Sequence, residues 1–228
     1  MDFKNKRILI TAGPTWVPID SVRVISNIAT GETGILLARE LNKRGAKVSL
    51  VLGPVSNTIS DKSIEPGIKL IKFKFFDELK NIIIKQIRTR RYDIVIHTAA
   101  VSDYRPKPAR AKKISSGIKN LNLVLEPTPK IIDYIKQVDP RVVLIGFKFE
   151  PDSAKNRLFK KAKCLMRRSN LDLTVANTVL NNQYQAYIIL KDKISTALYD
   201  KRSLVKKLLE EMGEYLWKRE ICRKNLHE

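Results

Sequence analysis

Short apolar runs alternate along the chain with segments in which apolar residues recur every three or four positions. The runs end at Gly, Pro or small residues and predict buried strands, whereas the longer spacing predicts amphipathic helices. Strands are expected at 7–11, 48–52, 68–75, 93–98, 121–125, 142–149, 171–176 and 184–190. Helices are expected from Gly34 to a stop at Gly45, at 79–91, from Thr128 onward, at 154–168 and at 203–217.

This alternation predicts the fold class. Strands separated by helices imply βαβ crossovers, a mostly parallel sheet and helices on both of its faces. No internal repeat interrupts the pattern, so residues 1–228 are expected to form one Rossmann-like α/β domain.

Two helix starts carry capping signals. Thr30 is expected as the N-cap of the first helix, with Glu32 in the first turn interacting favourably with the helix dipole. Thr128 is expected to cap a later helix whose first position is Pro129.

The segment from Thr11 to Gly34 is much longer than an ordinary strand-to-helix turn. Ligands of open α/β sheets bind beyond the carboxyl ends of the strands, where a helix N-terminus can receive phosphate. The stretch Gly31-Glu32-Thr33-Gly34 would allow such an approach, although glycines that merely shape a turn are more common. Neither GxGxxG nor GxxxxGK[ST] occurs, so neither of those phosphate-binding mechanisms is assigned.

Polar residues beyond the strands supply candidate chemistry. Arg23 can clamp a carboxylate or phosphate, and Asn27 can both donate and accept near an acyl group. The strand at 93–98 delivers His97-Thr98-Ala99-Ala100 to the same edge, where small residues admit a ligand. Asp103 could hold a ligand hydroxyl or hydrated magnesium. A histidine at such a strand end is more often packed than catalytic.

The Pro- and Lys-rich segment at about 104–119 is predicted to be a lid loop with an adjacent strand. Lys112 and Lys113 on this loop suit the neutralisation of a triphosphate in a transition state. A solvated basic loop is the competing interpretation, and charge alone favours it.

Composition limits the remaining possibilities. Of 228 residues, 43% are hydrophobic, which supports a globular core. No apolar run reaches about 18 residues and no signal segment follows the N-terminus, so a cytoplasmic protein is expected. Cys164 and Cys222 lack metal-ligand spacing and are expected to be reduced thiols.

The formal net charge of +21 has three open explanations. The chain could bind nucleic acid, it could bind several phosphorylated ligands, or its charge could reflect a lysine-rich compositional bias of the source organism. Neither zinc-finger spacing nor an RNP-like aromatic motif accompanies the charge, so nucleic-acid binding is disfavoured as the main function.

Taken together, several motifs resemble those of the phosphopantothenate–cysteine ligase (phosphopantothenoylcysteine synthetase) family. They occur in the family's order between about residues 7 and 178. The motifs are ITAGPT, PIDSVRVISN, TGETG, HTAAVSDYR, AKKI, EPTPKII, GFKFE and LDLTVAN. The family domain is often fused behind a flavin-dependent decarboxylase. In this sequence no such domain stands before the synthetase motifs, so a stand-alone synthetase is expected.

The resemblance implies an activity in coenzyme A biosynthesis. The carboxylate of 4'-phosphopantothenate attacks the α-phosphate of CTP or ATP with Mg²⁺ present, giving an acyl-nucleotide and pyrophosphate. The amine of L-cysteine then displaces the nucleotide monophosphate. A homodimer with a shared active site is implied, with no membrane and no specific nucleic acid as partner.

The resemblance also implies residue roles. Asn27, Lys113 and Arg23 are expected to be catalytic, with Arg23 reaching the substrate phosphate across the dimer interface. Asn27, Arg23, Ala99, Ala100 and Asp103 are expected to bind the acyl substrate. The expected nucleotide contacts are Gly13, Gly31, Gly34, His97, Thr98, Ala99, Asp103, Lys113, Pro129, Lys130, Ile131, Ile132, Phe147, Lys161, Lys163 and Asn177.

Some positions depart from the family pattern. Ala29-Thr30 stands where Ser-Ser is usual, and extra residues precede Leu171, so Lys161, Lys163 and Arg168 all remain candidates for the family's nucleotide-binding lysines. The segment TVLNNQYQ lacks the usual glycines, which leaves the choice between CTP and ATP open. A Rossmann-like oxidoreductase and a basic nucleic-acid-binding module are the alternatives. The oxidoreductase is disfavoured because Gly53-Pro54 follows the second strand where an acidic residue is expected.

Overall fold

A computed structural model of the chain describes residues 3–55, 64–107 and 112–224. Residues 56–63, between the strands predicted at 48–52 and 68–75, and part of the predicted lid loop lie outside the described residues. Within them the chain forms eleven strands and five helices. In order they are β1 (Arg7–Ala12), β2 (Trp16–Pro18), β3 (Val24–Ser26), α1 (Glu32–Lys43), β4 (Lys47–Leu52), β5 (Lys69–Lys72), α2 (Phe76–Thr89), β6 (Ile94–His97), β7 (Tyr104–Pro106), β8 (Leu125–Pro127), α3 (Ile131–Val138), β9 (Val143–Phe149), α4 (Lys155–Arg168), β10 (Leu173–Leu180), β11 (Gln183–Ile189) and α5 (Lys201–Lys224).

Seven strands form the central sheet, in the order β11-β10-β9-β6-β1-β4-β5. Every neighbouring pair is parallel except β10 with β11. The predicted Rossmann-like, mostly parallel sheet is therefore confirmed. Strand β1 lies between β4 and β6, so the loops after β1 and β6 emerge side by side.

The sheet is buried on both faces because successive strand residues point in opposite directions. In β1, Ile8 and Ile10 belong to a core shared with α1 and α5, while Leu9 belongs to a second core shared with α2 and α3. All three side chains are fully buried. A continuous apolar run, rather than an alternating one, is the pattern expected for a strand covered on both faces.

Both capping predictions were wrong. The N-cap of α1 is Gly31, at φ 72°, with no side-chain cap, because the left-handed conformation turns the chain into the helix there. The N-cap of α3 is Lys130, because the Thr128 hydroxyl is used elsewhere and donates to the carbonyl of Ser102 at 2.6 Å.

Two small hairpins also differ from the predicted elements. The antiparallel pair β2–β3 lies inside the long segment from Thr11 to Gly34, for which no strand was predicted. The strand predicted at 121–125 was wrong, since only Leu125 enters β8, which pairs with β7. Its apolar alternation misled because Leu121 and Leu123 are exposed rather than half-buried against the sheet.

Other predicted elements are confirmed with altered ends. The strand predicted at 68–75 is the shorter β5, and the one predicted at 171–176 extends through β10 to Leu180. Both cysteines are free thiols. Among the described helices, none has the length and apolar character that crossing a membrane requires.

Candidate active site

Thr11 organises the edge at which β1 and β6 end. Its hydroxyl lies 2.8 Å from Nδ1 of His97 and accepts the N–H of Ala99 at 3.3 Å. Its carbonyl accepts both the N–H and the hydroxyl of Thr98, at 3.1 Å and 2.8 Å. One residue of β1 therefore fixes three consecutive residues predicted to contact the nucleotide.

His97 is buried and neutral. Burial lowers the pKa of His97 to about 4, because the charged imidazolium would lose its hydration. At neutral pH the imidazole therefore offers hydrogen bonding but no positive charge to an anion. This environment agrees with the packed role that is common for a histidine at a strand end.

The predicted nucleotide-binding glycines gather at the N-terminus of α1. A Cβ built on Gly31 would lie 3.3 Å from the backbone nitrogen of Gly13. A Cβ on Gly34 would lie 2.5 Å from the Cβ of Ala12 and 2.8 Å from the hydroxyl of Thr98. Only glycine fits at Gly34, and the first turn of α1 thereby packs directly against the ends of β1 and β6.

Asn27 reaches the same edge from the β2–β3 hairpin. Its side-chain amide donates to the carbonyl of Ala100 at 3.0 Å. That carbonyl also accepts the N–H of Thr15, and the N–H of Ala100 donates to the carbonyl of Gly13. The structure therefore brings the predicted acyl-binding Asn27 next to Gly13 and Ala100.

Asp103 and Lys130 form an ion pair at the neighbouring loop. Both side chains are substantially exposed, so a ligand can reach either of them. Lys130 precedes α3, whose first N–H groups have no side-chain cap and can receive an anion. The side chains of Ile131 and Ile132 are buried in the core, so a ligand could be contacted there only through their backbone or through Pro129 and Lys130.

Arg23 lies on the hairpin but is engaged within its own chain. Its guanidinium contacts the carboxylate of Asp20 at 3.1 Å and the carbonyl of Ile114 at 3.3 Å. Lys113, next to Ile114, is exposed, and no described residue forms an ion pair with it. The structure therefore connects Arg23 to the backbone beside Lys113.

The predicted contacts on β9 and β10 lie further along the same edge. Asn177 pairs with Phe149, the last residue of β9, and its buried Oδ1 has no hydrogen-bond partner among the described residues. Phe147 and Tyr184 pack partly into the core beside it. Burial raises the pKa of Tyr184 to about 12, and a hydrogen bond from Asn177 opposes that rise.

The two candidate lysines of α4 lie on different faces of the helix. Lys161 pairs with Glu150, which also contacts Lys148 at 2.8 Å. Lys163 is exposed two positions further, and residues at that spacing do not share a helix face. Arg168 lies 3.4 Å from Asp133 on α3, at the far end of α4.

Three comparisons place the chain among known proteins. The sequence model of the family described as the DNA/pantothenate metabolism flavoprotein C-terminal domain matches residues 3–216. The chain belongs to this family. The family assignment predicted from the motifs is thereby confirmed.

Individual relatives agree with the assignment. The coenzyme A biosynthesis bifunctional protein CoaBC of Thermococcus kodakarensis is 35% identical over 219 residues, covering 93% of this chain and 52% of that protein. This chain thus spans about half the length of the curated relatives it matches. The DNA/pantothenate metabolism flavoprotein of Streptococcus pneumoniae has a TM-score of 0.81 at 27% identity, covering 92% of this chain and 99% of that one. The C-terminal domain of a CoaBC protein has a TM-score of 0.75 at 27% identity, covering 94% of this chain and 97% of that one.

Within this member of the DNA/pantothenate metabolism flavoprotein family, sequence reasoning missed Thr11 and Asp20 as organising residues. Thr11 was treated only as the end of a strand, since a single threonine carries no pattern. Asp20 stands in Asp-Ser-Val-Arg, a spacing that signals a turn closed by an aspartate side chain. That signal could have revealed the hairpin, but not its distant contact with Ile114.

The described residues do not provide a protein-made metal cage. No group of three or more His, Cys, Asp or Glu side chains in the described ranges could hold a metal ion. Magnesium is commonly held by substrate phosphates together with one or two carboxylates, and it keeps several waters. Asp103 is an exposed carboxylate at the edge and fits that limited role.

Proposed function

We propose that this chain ligates 4'-phosphopantothenate to L-cysteine, using CTP or ATP through an acyl-nucleotide intermediate. The observation that carries the proposal is the hydrogen bond from Asn27 to Ala100. It joins the hairpin expected to hold the acyl substrate to the strand end expected to hold the nucleotide. Family membership and the coenzyme A biosynthesis name of the Thermococcus relative support the same reaction.

The nucleotide phosphates would lie at the N-terminus of α1, beside Gly13, Gly31 and Gly34. Helix N-termini attract anions through uncapped N–H groups and the helix dipole. Packing at Gly34 brings this helix end to within contact distance of Thr98. On the β9–β10 side, Asn177 contributes a buried Oδ1 that has no hydrogen-bond partner among the described residues and whose chemistry suits an amino group on the base.

Charge neutralisation is the main electrostatic demand of the first step. A carboxylate and a triphosphate bring together roughly five negative charges, whose mutual repulsion must be offset at contact distance. Lys113 is an exposed cation, and Lys130 is a partly exposed cation that pairs with Asp103. Magnesium, held by the phosphates and Asp103, would supply further positive charge at the transferring phosphoryl group.

Cysteine enters in the second step, when its amine attacks the acyl carbon and nucleotide monophosphate leaves. The amide of Asn27 is an exposed donor and acceptor, and its N–H group is held at the carbonyl of Ala100 beside the predicted nucleotide contacts. We propose that Asn27 orients the acyl group. The side chain would thus accelerate the reaction through proximity and not through proton transfer.

A homodimer is also proposed. The segment around β3 exposes Val22, Val24 and Ile28 by 64%, 38% and 106% of their full areas. Exposed apolar side chains grouped on one hairpin are typical of an interaction surface. Since the same hairpin carries Arg23 and Asn27, a second copy seated on it would complete a shared active site.

Pyrophosphate release tests the proposal directly. The protein is incubated with 4'-phosphopantothenate, cysteine, Mg²⁺ and either CTP or ATP, and the amide product is measured in parallel. Release that depends on phosphopantothenate supports the ligase, and the faster nucleotide settles the preference. Absence of release with every nucleotide would remove the proposal.

The alternatives find less support. Strand β4 ends at Leu52 and is followed by Gly53-Pro54, so the acidic ribose ligand of an NAD-dependent oxidoreductase is missing there. Nucleic-acid binding rests on the net charge alone and predicts affinity that falls steeply with salt and ignores CTP. The cytoplasmic location and the stand-alone, single-domain organisation stay predictions.

A further inference from the structure

Asp20 is a buried carboxylate in the turn of the β2–β3 hairpin, with a fully covered side chain. Its Oδ1 accepts the N–H groups of Val22 and Arg23, at 2.9 Å and 2.8 Å. Its Oδ2 accepts the N–H of Ile114 at 3.0 Å and the guanidinium of Arg23 at 3.1 Å. An ionised carboxylate accepts about four hydrogen bonds, so the acceptor capacity of Asp20 is filled.

The two oxygens of Asp20 serve different purposes. The contacts of Oδ1 close a local turn of a kind that aspartate and asparagine form equally well. The contact of Oδ2 with Ile114 spans 94 residues and contributes nothing to that turn. The carboxylate therefore shapes the hairpin and also binds the hairpin to the backbone of Ile114.

Arg23 completes the grip on Ile114 from the other side. Its second guanidinium nitrogen donates to the carbonyl of Ile114 at 3.3 Å. Both backbone polar groups of Ile114 are thus bound by the hairpin, and its side chain is buried as well. We call this set of contacts, made by Asp20 and Arg23 to the backbone of Ile114, the hairpin clamp.

The hairpin clamp acts on the peptide group that joins Lys113 to Ile114. The N–H held by Asp20 lies in one plane with the carbonyl and Cα of Lys113 because the peptide bond is planar. Fixing that N–H therefore fixes where the side chain of Lys113 begins. The same hairpin delivers Asn27 to Ala100, so a single element sets the positions of both groups.

We propose that Asp20 is a positioning residue, which holds Lys113 in place against the nucleotide through the hairpin clamp. The inference rests on the proposed function, because it assumes that Lys113 acts on the reacting phosphates. Misplacement of a catalytic group by about 1 Å can cost on the order of 100-fold in rate. The side chain of Asp20 is fully covered, so Asp20 is expected to act on the reaction through Lys113 and not by contact with a substrate.

Asp20→Asn separates the two purposes of the carboxylate. The side-chain carbonyl of asparagine keeps the turn to Val22 and Arg23, while its NH₂ group faces the N–H of Ile114 and the guanidinium. Donor facing donor removes the contact of residue 20 with Ile114 and leaves only the Arg23 contact of the hairpin clamp. We expect kcat for pyrophosphate release to fall about 10- to 100-fold, with an unchanged KM for cysteine.

A double-mutant cycle with Lys113→Gln decides whether the effect passes through the lysine. If Asp20 positions Lys113, Asp20→Asn costs nothing further once Lys113 is replaced. The same loss in both backgrounds, or no loss in either, would overturn the proposal.

Asp139→Asn is the matched control. Asp139 accepts the N–H of Arg141 at 3.0 Å and pairs with its guanidinium at 3.0 Å and 3.1 Å, in a turn that makes no comparable contact with the 113–114 segment. Its kcat should remain that of the unmodified protein. A fall in this control equal to that of Asp20→Asn would assign the loss to general destabilisation and remove the positioning role.

A readout independent of activity keeps the inference apart from the proposed function. Amide hydrogen exchange at Ile114, followed by NMR, should accelerate at least 10-fold in Asp20→Asn, while exchange in β1 stays unchanged. Faster exchange with no ligase activity in the unmodified protein would mean that the hairpin clamp exists and the proposed reaction is wrong. Unchanged exchange would mean that the hairpin clamp is wrong, whatever the activity.

Discussion

The side-chain amide of Asn27 donates a hydrogen bond to the backbone carbonyl of Ala100 across 3.0 Å. The two residues lie 73 positions apart in sequence, on a hairpin and on the loop after β6. Among the described residues, this is the only hydrogen bond that the side-chain amide of Asn27 makes. Its second N–H and its oxygen therefore remain available to a ligand.

Asn27→Asp should leave the fold intact and stop amide formation. The carboxylate cannot donate to the carbonyl of Ala100 and would repel it, so the acyl group loses its orienting donor. We expect turnover to fall on the order of 100-fold or more, as when one preorganised donor is removed. Since the side chain is exposed, the melting temperature should change little.

Product analysis by mass spectrometry checks this outcome, with acyl-nucleotide expected to accumulate. Asn42 offers a control, because its amide likewise donates to a backbone carbonyl, that of Pro66, away from the site. Asn42→Asp should retain turnover. Full activity in Asn27→Asp would remove Asn27 from the catalytic residues.

Lys113→Gln should lower turnover more than stability. The lysine is exposed and has no ion-pair partner among the described residues, so its removal costs the fold little. If it stabilises charge in the transition state, kcat should fall on the order of 100-fold. Lys119→Gln, at an exposed lysine further along the same segment, is the control and should keep its turnover. Unchanged kcat with a lowered melting temperature would contradict the role.

Gly34→Ala should destabilise the protein through overpacking. The added Cβ would lie 2.5 Å from the Cβ of Ala12, closer than real contacts allow. Relief requires α1 to move away from the strand ends, at a cost of about 1–3 kcal/mol. Urea denaturation measures the change. Gly117→Ala is the control for volume, since a Cβ there meets nothing within 4 Å, although its φ of 84° adds some backbone strain.

Stability should fall as the pH drops from about 6.5 to about 4, in part because of His97. The folded-state pKa of His97 is about 4 against 6.5 when unfolded, so the unfolded chain binds the extra proton in this window. The contribution is fully present above pH 6.5 and is lost by pH 4, and its size is up to about 3 kcal/mol. Urea titrations at several pH values should show a flatter profile for His97→Gln than for His227→Gln, which changes the second histidine of the sequence.

Mixing subunits tests whether Arg23 serves a neighbouring active site. Inactive Arg23→Ala and Lys113→Gln proteins are combined, unfolded and refolded together. If Arg23 acts across a dimer, each mixed dimer has one site in which both residues are unmodified, and up to about a quarter of the activity returns. The Lys113 of that site belongs to the Arg23→Ala chain, whose hairpin clamp keeps the contact of Asp20 with Ile114. No recovery would confine Arg23 to its own chain, where it already contacts Ile114.

The fold could be predicted where a buried strand is long enough to show its character. The runs that became β1, β4 and β9 are continuous and apolar because helices cover both faces, and they were placed within one or two residues. Strands β2 and β3 have three residues each, and β2 includes Pro18, so no periodicity could reveal them. Tertiary contacts decided the rest, as when the hydroxyl of Thr128 turned to Ser102 instead of capping a helix.

The candidate site was predictable as a set of segments and not as a geometry. Parallel strands place the residues after β1 and β6 at one edge, so Gly13, Thr98 and Ala100 were expected to meet. The burial of Ile131 and the separate directions of Lys161 and Lys163 depend on helix rotation, which the motif alone does not define. The contact between Asp20 and Ile114 depends on the docking of a hairpin and left no pattern in the sequence.

Thr11 makes the surface predicted to bind the nucleotide depend on the folded state. Its hydroxyl and carbonyl hold residues 97–99 only while β1 lies beside β6, so an unfolded or partly folded chain has no such surface. A nucleotide that binds there binds the native state alone and must stabilise it in proportion to the logarithm of its concentration. The free energy of unfolding of this domain in the cell would then rise with the concentration of free nucleotide.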